Sequence, residues 1–219
     1  MTSKVATVDP IVSYCVNELL TKHGCHTILL YGSRARGDFN AQSDYDLLGI
    51  RQDGPTFRDA RLVDGTYLDL FIFPESKILN PDESLLYLQD SRVLIEKNEI
   101  GSNFISKLAQ LAQLPPMALA ENELAARRVW AHKMLDRTLS PDIEGNYRRT
   151  WLQMSLLEDY FLLRRLRFQG SKKSFRWLKE NDPSAYLAFE NVLRSPTDHE
   201  FLTVLVGLVT RSDAGRKLR

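Results

Sequence analysis

The sequence predicts an α/β lobe with a mixed sheet, followed by an all-α helical bundle. Three observations predict it. Short β-branched and aromatic runs, separated by turn residues, are confined to about the first hundred residues. Beyond residue 100 those runs stop and long stretches of helical periodicity replace them. Between the two regimes stands Pro115-Pro116, which reads as a linker.

The elements follow in order. Asp9-Pro10 is a helix start, a capping carboxylate followed by proline at the first helical position. That helix is expected to reach about His23 and end at Gly24. Thr27–Tyr31 is a short apolar run stopped by Gly32, hence a buried strand. A second strand is expected over Tyr45–Arg51. Asp64-Gly65 is a hairpin turn joining a strand near Phe57–Val63 to one at Tyr67–Phe73. Ser91–Lys97 adds a further strand. Helices are expected over about 101–113, 118–139, 145–168, 184–194 and 197–210. The domains implied are 1–100 and 117–219, with the boundary inside 100–117.

Composition narrows the function classes. The 219 residues are 43% hydrophobic and 26% charged, ordinary for a water-soluble globular chain. No apolar run is long enough for a membrane helix, and the first residues lack an apolar signal-peptide core, so no membrane role and a cytoplasmic location are expected. Two cysteines, Cys15 and Cys25, make no disulfide framework and read as small buried hydrophobes. The net charge of +1 hides an asymmetry: residues 1–100 hold 10 Lys and Arg against 15 Asp and Glu, and residues 101–219 hold 19 against 13. An acidic half and a basic half suit a site that handles cations and phosphates, or simply two lobes that dock. No basic stripe with interleaved aromatics appears, which argues against nucleic-acid polymerisation.

The informative stretch is Gly32-Ser33-Arg34-Ala35-Arg36-Gly37, followed after five residues by Ser43-Asp44-Tyr45-Asp46-Leu47. Gly32 allows a sharp backbone turn after the strand and leaves room for a phosphate. Ser33 opens a helix or turn whose free N–H groups and hydroxyl can hold phosphate oxygens. Asp44 and Asp46 are two apart, so on a strand both carboxylates share one face, and Tyr45 and Leu47 take the other. Neighbouring carboxylates repel unless a cation sits between them. Mg²⁺ prefers a few carboxylates plus substrate phosphates. A third acid, Asp69, interrupts the apolar strand Tyr67–Phe73, where a lone carboxylate is expensive to bury without a partner.

Gly-Ser, then Gly, then Ser-Asp-x-Asp-Leu, with a third Asp on a later strand, resembles the DNA polymerase beta-type nucleotidyltransferase superfamily. Within it the wording is similar to the minimal nucleotidyltransferases and the aminoglycoside nucleotidyltransferases. The resemblance covers about the first 75 residues. It implies that Gly32 and Ser33 contact the triphosphate and that Ser43 supports it or the metal site. It implies that Asp44 and Asp46 ligate both of two Mg²⁺ ions (or Mn²⁺), and that Asp69 ligates the catalytic one. Asp69 is also a candidate base for the acceptor hydroxyl.

In the helical half, Arg164 falls on the stripe Met154, Leu157, Phe161 and Phe168, and Lys172 follows in an expected loop at Gly170–Lys173. The stretch from Leu162 to Trp177 is similar to the helical domain of streptomycin-type aminoglycoside adenylyltransferases. That implies triphosphate contacts from Arg164 and Lys172; the alternative is a solvated basic face with a snorkelling arginine. Glu158 and Asp159 have no basic residue three or four positions away, so they are either acceptor-binding acids or an ordinary solvated face. Arg127 and His132 have a spacing similar to a ribonuclease motif of helical toxin domains, a spacing common by chance. Trp130, Trp151 and Trp177 read as core.

Three functions compete. The first is adenylyl transfer from ATP to a hydroxyl of a small molecule such as an aminoglycoside, which would confer antibiotic resistance. The second is modification of a protein or RNA, of the toxin-neutralising type. The third is a nucleotide-binding module without catalysis, against which three retained aspartates argue.

Overall fold

The computed structural model describes residues 9–211. The chain divides between Leu114 and Pro115 into two compact units.

The first unit is a five-stranded mixed sheet with helices on both faces. Helix α1 (Pro10–Thr21) is capped by the Asp9 carboxylate, which accepts from the backbone N–H groups of Ile11 and Val12. Strands β1 (Thr27–Tyr31), β2 (Tyr45–Arg51), β3 (Phe57–Val63), β4 (Thr66–Pro74) and β5 (Arg92–Ile95) lie in the order β3-β4-β2-β1-β5. Strands β2 and β4 run parallel; every other neighbouring pair is antiparallel. The expected mixed sheet is therefore present, and the Asp64-Gly65 turn joins β3 to β4 as expected.

Period-two alternation splits the sheet into two apolar faces. Leu30, Leu47, Leu68 and Leu70 pack with Cys15 and Leu19 of α1. Leu29, Leu48 and Ile50 pack against Phe104 and Leu108 of α4 (Ile100–Gln113). Helix α4 thus belongs to the first unit. A short helix α3 (Glu75–Leu79) and a 3₁₀ turn (Glu83–Leu88) also close the second face; neither is apparent in the sequence. Cys15 and Cys25 are free and buried.

The second unit is all helical: α5 (Glu121–Arg137), α6 (Ile143–Leu163), α7 (Ser171–Asn181), α8 (Pro183–Arg194) and α9 (His199–Thr210). Its core is built from Leu124, Leu152, Leu156, Phe189, Leu205 and their neighbours. Helix α6 stops five residues before the expected end. Arg165 takes a left-handed backbone (φ 56°), and the N–H groups of Arg165 and Leu166 return to the carbonyls of Leu162 and Phe161. That is a Schellman closure built on arginine where glycine is usual. Lys172 stands in the first turn of α7 rather than in a loop. Trp151 is 48% exposed and Met154 75% exposed, so neither belongs to the core or the apolar stripe expected of it. No helix among the described residues is long and apolar enough to cross a membrane.

Candidate active site

The site begins with sheet register. Tyr31 of β1 lies opposite Asp46 of β2, Asp46 opposite Asp69 of β4, and Asp69 opposite Ala60 of β3. These four residues form one row across the sheet. Residues in register across neighbouring strands project to the same face. The two carboxylates are therefore adjacent on the face that carries Leu48 and Phe71. Asp44 lies just before β2, two residues from Asp46, and is exposed.

Gly32 follows β1 with φ 71°, in the left-handed region. A Cβ there would collide with the Asp46 carboxylate. Position 32 is thus doubly restricted to glycine, by backbone conformation and by the acid beside it. Gly32 opens the short helix α2 (Gly32–Arg36), which Gly37 ends at φ 80°. The Ser33 hydroxyl has no hydrogen-bond partner among the described residues, whereas that of Ser43 is engaged. Ser43 accepts from the Asn40 N–H at 3.0 Å and contacts the Asn40 side-chain oxygen at 3.3 Å, so it braces the turn that leads into β2.

Arg34 ties the two halves of the motif together. Its guanidinium donates to the carbonyls of Asp44 (3.0 Å) and Ser43 (2.8 Å) and stacks over the Tyr45 ring, with 3.5 Å to the centroid. The Tyr45 hydroxyl in turn donates to Asp9 at 2.7 Å. These contacts fix the backbone on which Asp44 and Asp46 stand.

Charge is concentrated in the row. Burial, then the charges of Asp44 and Asp69, push the Asp46 carboxyl up to about 6. The Tyr31 hydroxyl is pushed far up by burial and by the negative charges of Asp69 and Asp46. Asp69 has found a cation of its own: Arg58 of β3 donates to both its oxygens, at 2.8 and 2.9 Å. Arg58 sits opposite Phe71, one diagonal step from Asp69, and its guanidinium lies 5.1 Å from the Phe71 ring centre. Tyr87 closes this corner against Tyr31 and Phe71. Sequence reasoning missed Arg58 and Tyr87. Arg58 could have been found by pairing the β3–β4 hairpin from its Asp64-Gly65 turn; Tyr87 gives no such signal.

An all-oxygen set of three aspartates, one of them held toward its neutral form by burial and then by its neighbours' charges, fits a hard divalent cation. The three are spread wider than the tightest acidic group among the described residues, Glu18, His23 and Asp59, whose ligand atoms lie within 4.8 Å of one another. That second group is already occupied: Arg61 bonds both Glu18 and Asp59.

The helical candidates have other partners. Arg164 caps α6, donates to the carbonyls of Tyr160 (3.3 Å), Val209 (3.2 Å) and Leu208 (3.0 Å), and stacks on Tyr160. It neither snorkels to water nor stands on a continuing helix; it ties the end of α6 to the last turn of α9. Asp159 is buried and paired with Arg127 at 2.6 Å, a partner from the neighbouring helix that local spacing could not reveal. His132 contacts the Thr210 hydroxyl at 3.1 Å. Lys172 is exposed.

No protein-family model matches the sequence, and no curated protein does. Among solved structures, a nucleotidyltransferase-like protein from Exiguobacterium sibiricum 255-15 is similar over 91% of this chain and 74% of its own, with 13% identity and a TM-score of 0.44.

Proposed function

We propose that the protein is a metal-dependent nucleotidyltransferase. It moves a nucleoside monophosphate, AMP from ATP in the first instance, onto a hydroxyl of a small molecule of the aminoglycoside class. The observation that carries the reading is the register of Asp46 against Asp69, with Gly32 left bare beside Asp46.

Asp44, Asp46 and Asp69 would hold Mg²⁺ or Mn²⁺. Two such ions stabilise the attacking and leaving oxygens of a phosphoryl transfer. In the transfer, the acceptor oxygen forms a bond to the α-phosphorus, the bond to the bridging oxygen breaks, and pyrophosphate leaves. The acceptor proton passes to a carboxylate, for which Asp69 is the candidate once Arg58 has released it. Gly32 and the unbonded Ser33 hydroxyl serve the triphosphate; Ser43 serves by bracing the turn. Because Arg164 already serves three carbonyls, it is assigned a packing role. Lys172 is retained as a triphosphate contact on the resemblance.

The test is incubation with α-labelled ATP, Mg²⁺ and a panel of aminoglycosides, proteins and RNAs. Label should pass to a small acceptor with release of pyrophosphate, and Asp44→Asn or Asp46→Asn should abolish it. Transfer that survives full chelation of divalent metal would overturn the metal dependence. Label on protein or RNA alone would move the acceptor to the toxin-neutralising type. Tight ATP binding without transfer to any acceptor would leave a non-catalytic module.

A further inference from the structure

Helix α6 leaves a seam of large apolar side chains outside the bundle. Ile143, Tyr147, Trp151 and Met154 recur at spacings of four, four and three residues, so they lie along one face. Ile143 is 85% exposed and Tyr147 70%. A contiguous exposed apolar face of this kind marks an interaction surface.

The groove between α5 and α6 adds a direction to that seam. It holds two clefts, of about 620 and 450 Å³, that share the edge-to-face pair Trp130–Trp151, with ring centres 5.3 Å apart. The larger cleft, at the start of α6, is lined by Lys133, Arg137, Arg148 and Glu144. The smaller, towards the end of α6, is lined by Glu123, Glu158, Asp159 and Arg127. Arg148 is neutralised by Glu144 and Asp159 by Arg127. Among the described residues Lys133 and Arg137 have no ion partner at one end, and neither does Glu158 at the other. The free charge therefore reverses in sign across the tryptophan pair.

We propose that this groove is the interface of a homodimer, with α6 of one copy lying antiparallel on α6 of the other about a two-fold axis near Trp151. A two-fold contact presents the same patch from both copies and must be complementary to itself. This patch is: turning it end for end lays the seam on the seam, and the basic end of each copy on the acidic end of the other. A cationic small molecule would satisfy only the acidic end. A second copy satisfies both ends and the apolar waist.

Sedimentation of the full chain across about 1–100 µM tests the proposal, because mass action moves a dimer equilibrium through such a range. Twice the chain mass of 25.2 kDa is expected at the upper end. Trp151→Glu should give a monomer whose helical circular dichroism is unchanged. Lys133→Glu and Glu158→Lys should each weaken the dimer about tenfold or more, since each places like charges opposite one another. Mixing those two variants should restore association, as a heterodimer with both contacts of opposite sign. A monomeric parent at the upper concentration overturns the proposal. So does a dimer indifferent to these substitutions, or a mixture that fails to associate.

Discussion

Arg58 holds both oxygens of Asp69, at 2.8 and 2.9 Å, from the neighbouring strand of the same hairpin. The guanidinium occupies the carboxylate that the proposed chemistry reserves for a divalent ion. Arg58 is 58% exposed on its side chain, so the pair adds little stability and opens readily. Arg58→Ala should leave the denaturation midpoint nearly unchanged. It should tighten Mn²⁺ binding, measured by paramagnetic resonance, about threefold to tenfold. Unchanged or weaker Mn²⁺ binding would show that Asp69 is no ligand.

Asp46 makes a prediction about pH. Its folded carboxyl titrates at about 6, above the ~3.9 of an unfolded aspartate. Below about pH 4 both states are protonated and the group is neutral to stability. Between about pH 4 and 6 the unfolded state gives up its proton while the folded state keeps it, so stability falls across that window and levels off once pH passes the folded value. In chelator, Asp46 should therefore cost the parent about 1–2 kcal/mol relative to Asp46→Asn between pH 4 and 7.5, after discounting for solvent screening. Asp46→Asn should remove this loss, and Mg²⁺ should reverse it in the parent only. Urea titrations at the two pH values decide it; a destabilised Asp46→Asn at neutral pH contradicts the electrostatic account.

Gly32 and Gly37 separate backbone conformation from crowding. Both have positive φ, but a Cβ meets the Asp46 carboxylate at position 32 and open space at position 37. Gly37→Ala should lower stability by about 1–2 kcal/mol, the left-handed penalty alone, and leave metal binding unchanged. Gly32→Ala should cost more and weaken metal binding as well, because Asp46 must move. Equal effects in denaturation and calorimetry would mean that Gly32 is there for its backbone only.

Arg127 and Asp159 form a pair whose acid is buried and whose base is 38% exposed. Burial already raises the Asp159 carboxyl, against the pull of Arg127. Removing Arg127 leaves the buried charge alone. Arg127→Ala should destabilise by about 3 kcal/mol at pH 8 and by less at pH 5, where Asp159 can protonate. Arg127→Ala/Asp159→Asn should regain most of the loss in thermal melts. A loss that is the same at both pH values would place the effect in packing.

Much of the first unit was legible because its signals are local. Proline and a capping acid mark α1, and an Asp-Gly turn pairs β3 with β4. What escaped was set by neighbours distant in sequence. Asp159 found Arg127 across two helices. Trp151, read as core from its place in a helical pattern, is half exposed and packs edge-to-face on Trp130 of the neighbouring helix. The end of α6 was misplaced because Arg165 takes a left-handed turn that carries no glycine in the sequence. The start of α7 was missed because Gly170, its N-cap, supplies no capping side chain.

The parallel pairing of β2 with β4 also sets which length changes the chain can absorb. Strand faces alternate residue by residue, so an odd insertion between Thr66 and Asp69 would swing the carboxylate to the face where Leu68 and Leu70 pack under α1. An even insertion would preserve the face. The Asp64-Gly65 turn lies outside the ladder between β2 and β4 and can lengthen without shifting it. Among descendants of this chain, variation in length should therefore collect at the turn and be excluded from the four residues that follow it.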